Sequence, residues 1–161
     1  MKRILSLITA VTLLCLIALP GLADSAFTCT DKEGIAAVRE LFLSDGITRD
    51  DLENSASARA LFAKKVGYCL YREGVSACNP TSFIMAALLG NMYVCLEPTN
   101  QLAVLQIFNG DEVIIFTCDL YGLGICNYGT ASIDGSLTSE YYMSLAKSKG
   151  NITQYWPVSF E

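Results

Sequence analysis

The 161-residue chain contains no histidine. Its absence excludes a Ser-His-Asp triad, a Cys-His pair, a histidine proton shuttle and every zinc site that needs imidazole. Ser144-Leu145-Ala146-Lys147 has the S-x-x-K spacing, which on a helix places a serine hydroxyl one turn from a lysine ammonium. That is the nucleophile and base arrangement of penicillin-recognising enzymes. No S-D-N or K-T-G companion accompanies it, and so short a pattern reads as a helix surface.

Carboxylate pairs occur at Asp50 and Asp51 with Glu53, and at Asp111 with Glu112. Such pairs serve glycoside hydrolysis when held about 5–9.5 Å apart across a cleft. The first group falls in the opening turn of a helix, where acids complement the dipole. The second belongs to a hairpin turn. Asp119 and Asp134 flank the glycines Gly122, Gly124 and Gly129, but without the alternating acids of a calcium loop. Asn127 occupies the place of the third glycine in a dinucleotide fingerprint. The sequence therefore assigns no catalytic residue, cofactor or metal ligand.

Aromatic residues crowd the C-terminal part: Tyr121, Tyr128, Tyr141, Tyr142, Tyr155 and Trp156. Tyr and Trp suit interfaces, because a rigid apolar body carries a polar tip. These six are the expected binding surface, set against the plainer reading of a helix packed on a sheet.

The first residues read as an export leader. Lys2 and Arg3 are positive, Ile4 to Leu19 supply sixteen uncharged residues, and Pro20 breaks the run. Gly21-Leu22-Ala23 places small residues at a cleavage site before Asp24. Sixteen residues fall short of a bilayer span, which needs about 20. Cys15 departs with the leader, and the expected mature chain is 24–161, periplasmic or secreted. It carries nine basic against sixteen acidic residues, a net charge of −7. This balance argues against nucleic acid and against a membrane partner after cleavage, and it steers a cationic protein or small molecule favourably. Asn151-Ile152-Thr153 forms a glycosylation sequon, meaningful only in a eukaryotic secretory pathway.

The mature chain keeps six cysteines: Cys29, Cys69, Cys78, Cys95, Cys118 and Cys126. An even count behind a leader predicts three disulfides, and no C-x-x-C is present for metal or redox work. Six cysteines allow 15 connectivities. Short turn-flanking loops favour Cys69–Cys78 and Cys118–Cys126, leaving Cys29–Cys95.

These residues need elements to hold them. Thr30-Asp31-Lys32-Glu33 has capping-box form and opens a helix over about 31–43, with Ile35, Val38, Leu41 and Phe42 at helical spacing. Thr48 caps a short second helix. A longer one follows, whose apolar stripe is Leu61, Phe62, Val66, Cys69 and Leu70. Gly74 closes it, and Asn79-Pro80 opens the next. Phe83 to Leu96 is almost wholly apolar and reads as a central core helix, in which Asn91 needs a hydrogen-bond partner.

After Glu97-Pro98 the period changes. Residues 102–108 and 112–118 form a hairpin about Asn109-Gly110-Asp111, and 125–132 adds a third strand. Thr138 caps a helix to about Lys147. The tail places Ile152, Trp156, Val158 and Phe160 on one face of an edge strand marked by Pro157. The expectation is a single α+β domain, about three N-terminal helices packed on a small antiparallel sheet and held by disulfides.

Two functions compete. One is an exported, non-catalytic binding module of inhibitor or immunity type; the other is a small secreted hydrolase using paired carboxylates.

Overall fold

The computed structural model describes residues 27–28, 47–99, 102–119 and 126–160. The leader, the helix expected over 31–43, Cys29 and Tyr121 lie outside these residues.

Thr48 begins the first described helix, α1 (Arg49–Asn54), through a capping box: its hydroxyl accepts from the Asp51 amide, and the Asp51 carboxylate accepts from the Thr48 amide. Ser55 then caps α2 (Ala56–Arg72). Phe62, Ala63, Val66, Gly67 and Leu70 form its buried stripe. Leu61 stays exposed and Cys69 is only half-buried, so the stripe is narrower than periodicity suggested. A 3-10 turn (Ser76–Cys78) leads to α3 (Pro80–Leu88), which starts with Asn79 as cap and Pro80 in its first turn.

The predicted helix from Phe83 to Leu96 is corrected here. α3 stops at Leu88, Gly90 takes φ 71°, and Met92–Leu96 is a strand, β2. All five β2 residues are buried, so its composition carries no alternation. A strand apolar on both faces is indistinguishable from a buried helix by period alone. β3 (Leu102–Asn109) and β4 (Glu112–Asp119) form the expected hairpin, with Asn109 opposite Glu112 and Gly110 at φ 62°. β5 (Cys126–Ser132), α4 (Ser139–Ser148, capped by Thr138) and β6 (Gln154–Pro157) follow.

With β1 (Phe27–Thr28) the sheet has six strands in the order β1-β5-β4-β3-β2-β6, every neighbour antiparallel. The fold is α+β, with helices on both faces of a sheet larger than the hairpin and edge strand expected. Under α1 to α3 lie Met92, Val94, Leu105, Ile107, Ile114 and Phe116. Under α4 lie Tyr93, Val104, Phe108, Val113 and Ile115. Ile152 joins the α4 side, while Trp156, Val158 and Phe160 pack on the other, so the tail does not keep one face. Gly67 lets α3 cross α2 closely, for a Cβ there would overlap the Phe83 ring.

Among the described cysteines Cys78 carries a free thiol, so the expected Cys69–Cys78 bridge is absent. The sheet itself divides the set: Cys78 and Cys118 face the α1–α3 layer and Cys95 faces α4. The partner expected for Cys95 lies outside the described residues, and the strand before it is separated from β2 by three others.

Candidate functional site

α3 ends in a turn that sets the site's geometry. The Gly90 amide donates to the Ala87 carbonyl and the Asn91 amide to the Ala86 carbonyl, at 3.0 and 2.8 Å. Gly90 adopts the left-handed conformation that ends helices this way. The turn leaves the outer side of α3 uncovered. Ile84, Met85, Leu88 and Leu89 are 48%, 46%, 69% and 66% exposed, a contiguous apolar ridge on one short helix.

Leu89 is also the first wall of a cleft of about 440 Å³ at this end of the sheet. A volume of this size is that of a small-ligand pocket. Tyr93 and Phe108 form its floor, Ile133 and Leu137 its other aliphatic wall, and Ser139 and Glu140 its polar rim. The rim is tied together by Ser139, whose hydroxyl donates to the Gly90 carbonyl at 2.8 Å and contacts Asn91 Oδ1 at 3.2 Å. This supplies the partner that Asn91 required. Opposite, the β3–β4 turn is held when Asp111 O accepts from the Ile133 amide at 2.7 Å, and the Asp111 carboxylate lies against Gly135, where a Cβ would collide with it.

The floor belongs to a chain of edge-to-face rings. Tyr93 meets Phe108 at 6.0 Å and Tyr155 at 5.9 Å, and Phe108 meets Tyr142 at 5.3 Å between centroids. Burial pushes the Tyr93 phenol above its ordinary pKa; a hydrogen bond with Ser139 opposes this, and the nearby Glu140 charge adds to it. Beside Tyr93 across the β2–β3 ladder is Gln106, two residues from Phe108 on the same face of β3. Gln106 is fully buried, and neither of its side-chain amide atoms has a hydrogen-bond partner among the described residues. An orphaned buried polar group costs about 1–3 kcal/mol.

No protein family, curated protein or solved structure matches this chain. The site must therefore be read from its own chemistry.

The residues singled out in the sequence are placed as follows. Asp51 is engaged by Thr48, and Glu53 pairs with Arg49 at 2.8 Å, so the first acidic group is helix-start structure. Asp111 and Glu112 are exposed at the hairpin turn. Asp134 accepts from both the amide and the hydroxyl of Ser136, at 3.0 and 2.7 Å. Gly122 and Gly124 lie outside the described residues, among which no cluster of three or more His, Cys, Asp or Glu could hold a metal. Ser144 is exposed, and the Lys147 ammonium lies 5.6 Å over the Tyr155 ring.

The expected aromatic surface is dispersed. Tyr142 is buried on the inner face of α4, Tyr128 and Trp156 pack toward the α1–α3 layer, and Tyr155 packs toward α4. Tyr141 alone among the five described is well exposed. Sequence reasoning missed Tyr93, Phe108, Gln106 and Ser139 as site residues. The signal was Gly90-Asn91 within an apolar run, which marks a reversal of the chain.

Proposed function

We propose that this protein is an exported, disulfide-stabilised, non-catalytic binding module that grips a protein partner through the α3 ridge and the cleft beside it, as inhibitors and immunity factors do. The ridge carries this reading. Four large apolar side chains exposed together on one helix are what an interface presents, and scattered single residues are what chance leaves. Charge selects the partner's character. The expected mature chain has a net charge of −7, and the cleft beside the ridge carries Glu140 as its charged lining residue, so the partner presents apolar side chains flanked by Lys or Arg.

The hydrolase reading has less support. Glu140 is the one carboxylate among the cleft-lining residues, where a two-carboxylate mechanism needs a pair. Export rests on the leader pattern. For a staple, the best-placed cysteines are Cys118 and Cys126, which are directly opposed on β4 and β5. Opposed residues on antiparallel strands stand about 4.5–5.5 Å apart at Cα, inside the disulfide range of about 4.4–6.8 Å.

The test immobilises the protein against its native extracellular or periplasmic fraction, alongside a Leu88→Glu, Leu89→Glu variant checked by circular dichroism. A protein retained by the wild type and lost by the variant supports the reading. Absence of any retained protein, together with glycan turnover abolished by Asp111→Asn or Glu140→Gln, overturns it in favour of the hydrolase. Intact mass of native material is expected to start near Asp24, with a Cys118–Cys126 peptide pair lacking two hydrogens. A retained leader with both sulfurs alkylated overturns export and the staple together.

A further inference from the structure

We infer that the cleft receives a primary ammonium group at the end of an alkyl chain, the chemistry of a lysine side chain of the partner; this rests on the binding-module reading above. The walls suit the stem. Leu89, Ile133 and Leu137 are aliphatic, and the Tyr93 and Phe108 rings close the floor. The head group is selected by charge. Among the cleft-lining residues Glu140 is the one with a charged side chain, and its field reaches the Tyr93 hydroxyl on the floor.

Hydrogen bonding points the same way. The Gly90 carbonyl and Asn91 Oδ1 each face Ser139 and each keep a second lone pair. An ammonium brings three donors and no acceptor to this set, and the aromatic floor adds cation–π attraction. The first turn of α4 would favour an anion here, but Glu140 already occupies that field and repels a second negative charge.

Gln106 supplies an independent observation. Its buried amide lies beside Tyr93 and Phe108 on the strand face that makes the floor, with no partner among the described residues. A sealed core would be more stable with leucine there. Gln106 does not itself line the cleft; its amide lies behind the floor, where Oε1 becomes available to the bound donor once the Tyr93 and Phe108 rings part.

The experiment titrates the full chain with pentylammonium, using pentanol and pentanoate as stem-matched controls, and follows binding by calorimetry and NMR shifts. Pentylammonium is expected to bind where both controls fail. Glu140→Gln weakens it about tenfold or more. Gln106→Leu also weakens it while raising Tm, a combination that a merely structural glutamine does not produce. Equal binding of pentanol or pentanoate overturns the inference, and full affinity in either variant removes that residue from the site. The Leu88→Glu, Leu89→Glu variant separates the two claims. Partner loss there, with no pentylammonium binding by the wild type, leaves the module standing and the ammonium site refuted. Pentylammonium binding without any partner does the reverse.

Discussion

The Ser139 hydroxyl donates to the Gly90 carbonyl across 2.8 Å, joining residues 49 apart in the chain. α4 covers one face of the sheet and α3 the other, so this contact clasps the two layers at the end where the cleft opens. Gly90 makes it possible, because its positive φ turns the carbonyl out of the α3–β2 junction.

Ser139→Ala removes the donor to both Gly90 and Asn91 and strands two partly buried acceptors. The expected loss is about 1–2 kcal/mol of stability, read as a lower urea midpoint at unchanged m-value. An unchanged midpoint shows that water replaces the clasp without cost.

Gly67→Ala places a methyl group against the Phe83 ring where the two helices cross. Overpacking of this kind costs about 1–3 kcal/mol. The companion Phe83→Leu frees room, so the double variant is expected to lose less than the two single losses combined. Strict additivity in thermal melts rules out the contact as the cause.

Burial pushes the Cys78 thiol up to about 12, against about 8.5 for a thiol in the unfolded chain. A raised folded pKa means the native state holds its proton more tightly, so the stabilisation is complete below the unfolded value and drains away as pH rises toward the folded one. Stability is expected to fall between about pH 8.5 and about 12, and Cys78→Ala should flatten that decline in denaturant titrations. Tyr128, raised mainly by burial and further by Cys78 and Glu112, adds to the same alkaline loss.

The opposite sign holds at acid pH. The Thr48 hydroxyl and amide both donate to the Asp51 carboxylate and hold it below its ordinary pKa. Its stabilisation is present above the unfolded pKa and disappears as pH falls through the folded value. Asp51→Asn should therefore matter at pH 7 and cease to matter near pH 2. A difference from wild type that persists at pH 2 assigns the effect to something other than charge. Thr48→Ala, which removes the cap itself, is expected to cost about 1 kcal/mol.

Much of the framework was legible because local chemistry decided it. Thr48, Asn79 and Thr138 announce helix starts, and Asn109-Gly110 announces the hairpin, through hydrogen bonds that a few neighbouring residues make alone. The helix read across Phe83–Leu96 failed because β2 is buried on both faces and leaves no period to detect. The site was hidden for a related reason. Tyr93 and Gln106 become neighbours only through strand pairing, and Ser139 reaches Gly90 only once α4 has crossed the sheet. The aromatic grouping shows the limit of closeness in sequence: Tyr128 and Trp156 pack toward the α1–α3 layer, while Tyr142 belongs to the opposite one.

The two flanking strands of the sheet are also its shortest, Phe27–Thr28 on one side and Gln154–Pro157 on the other. Open sheet borders invite other chains to add on, and brevity and proline blunt that invitation. Losing Gln154–Pro157 would leave the five apolar residues of β2 as an uncovered ladder. Proteolytic trimming at that end would thus produce self-assembling material before it produced an unfolded chain.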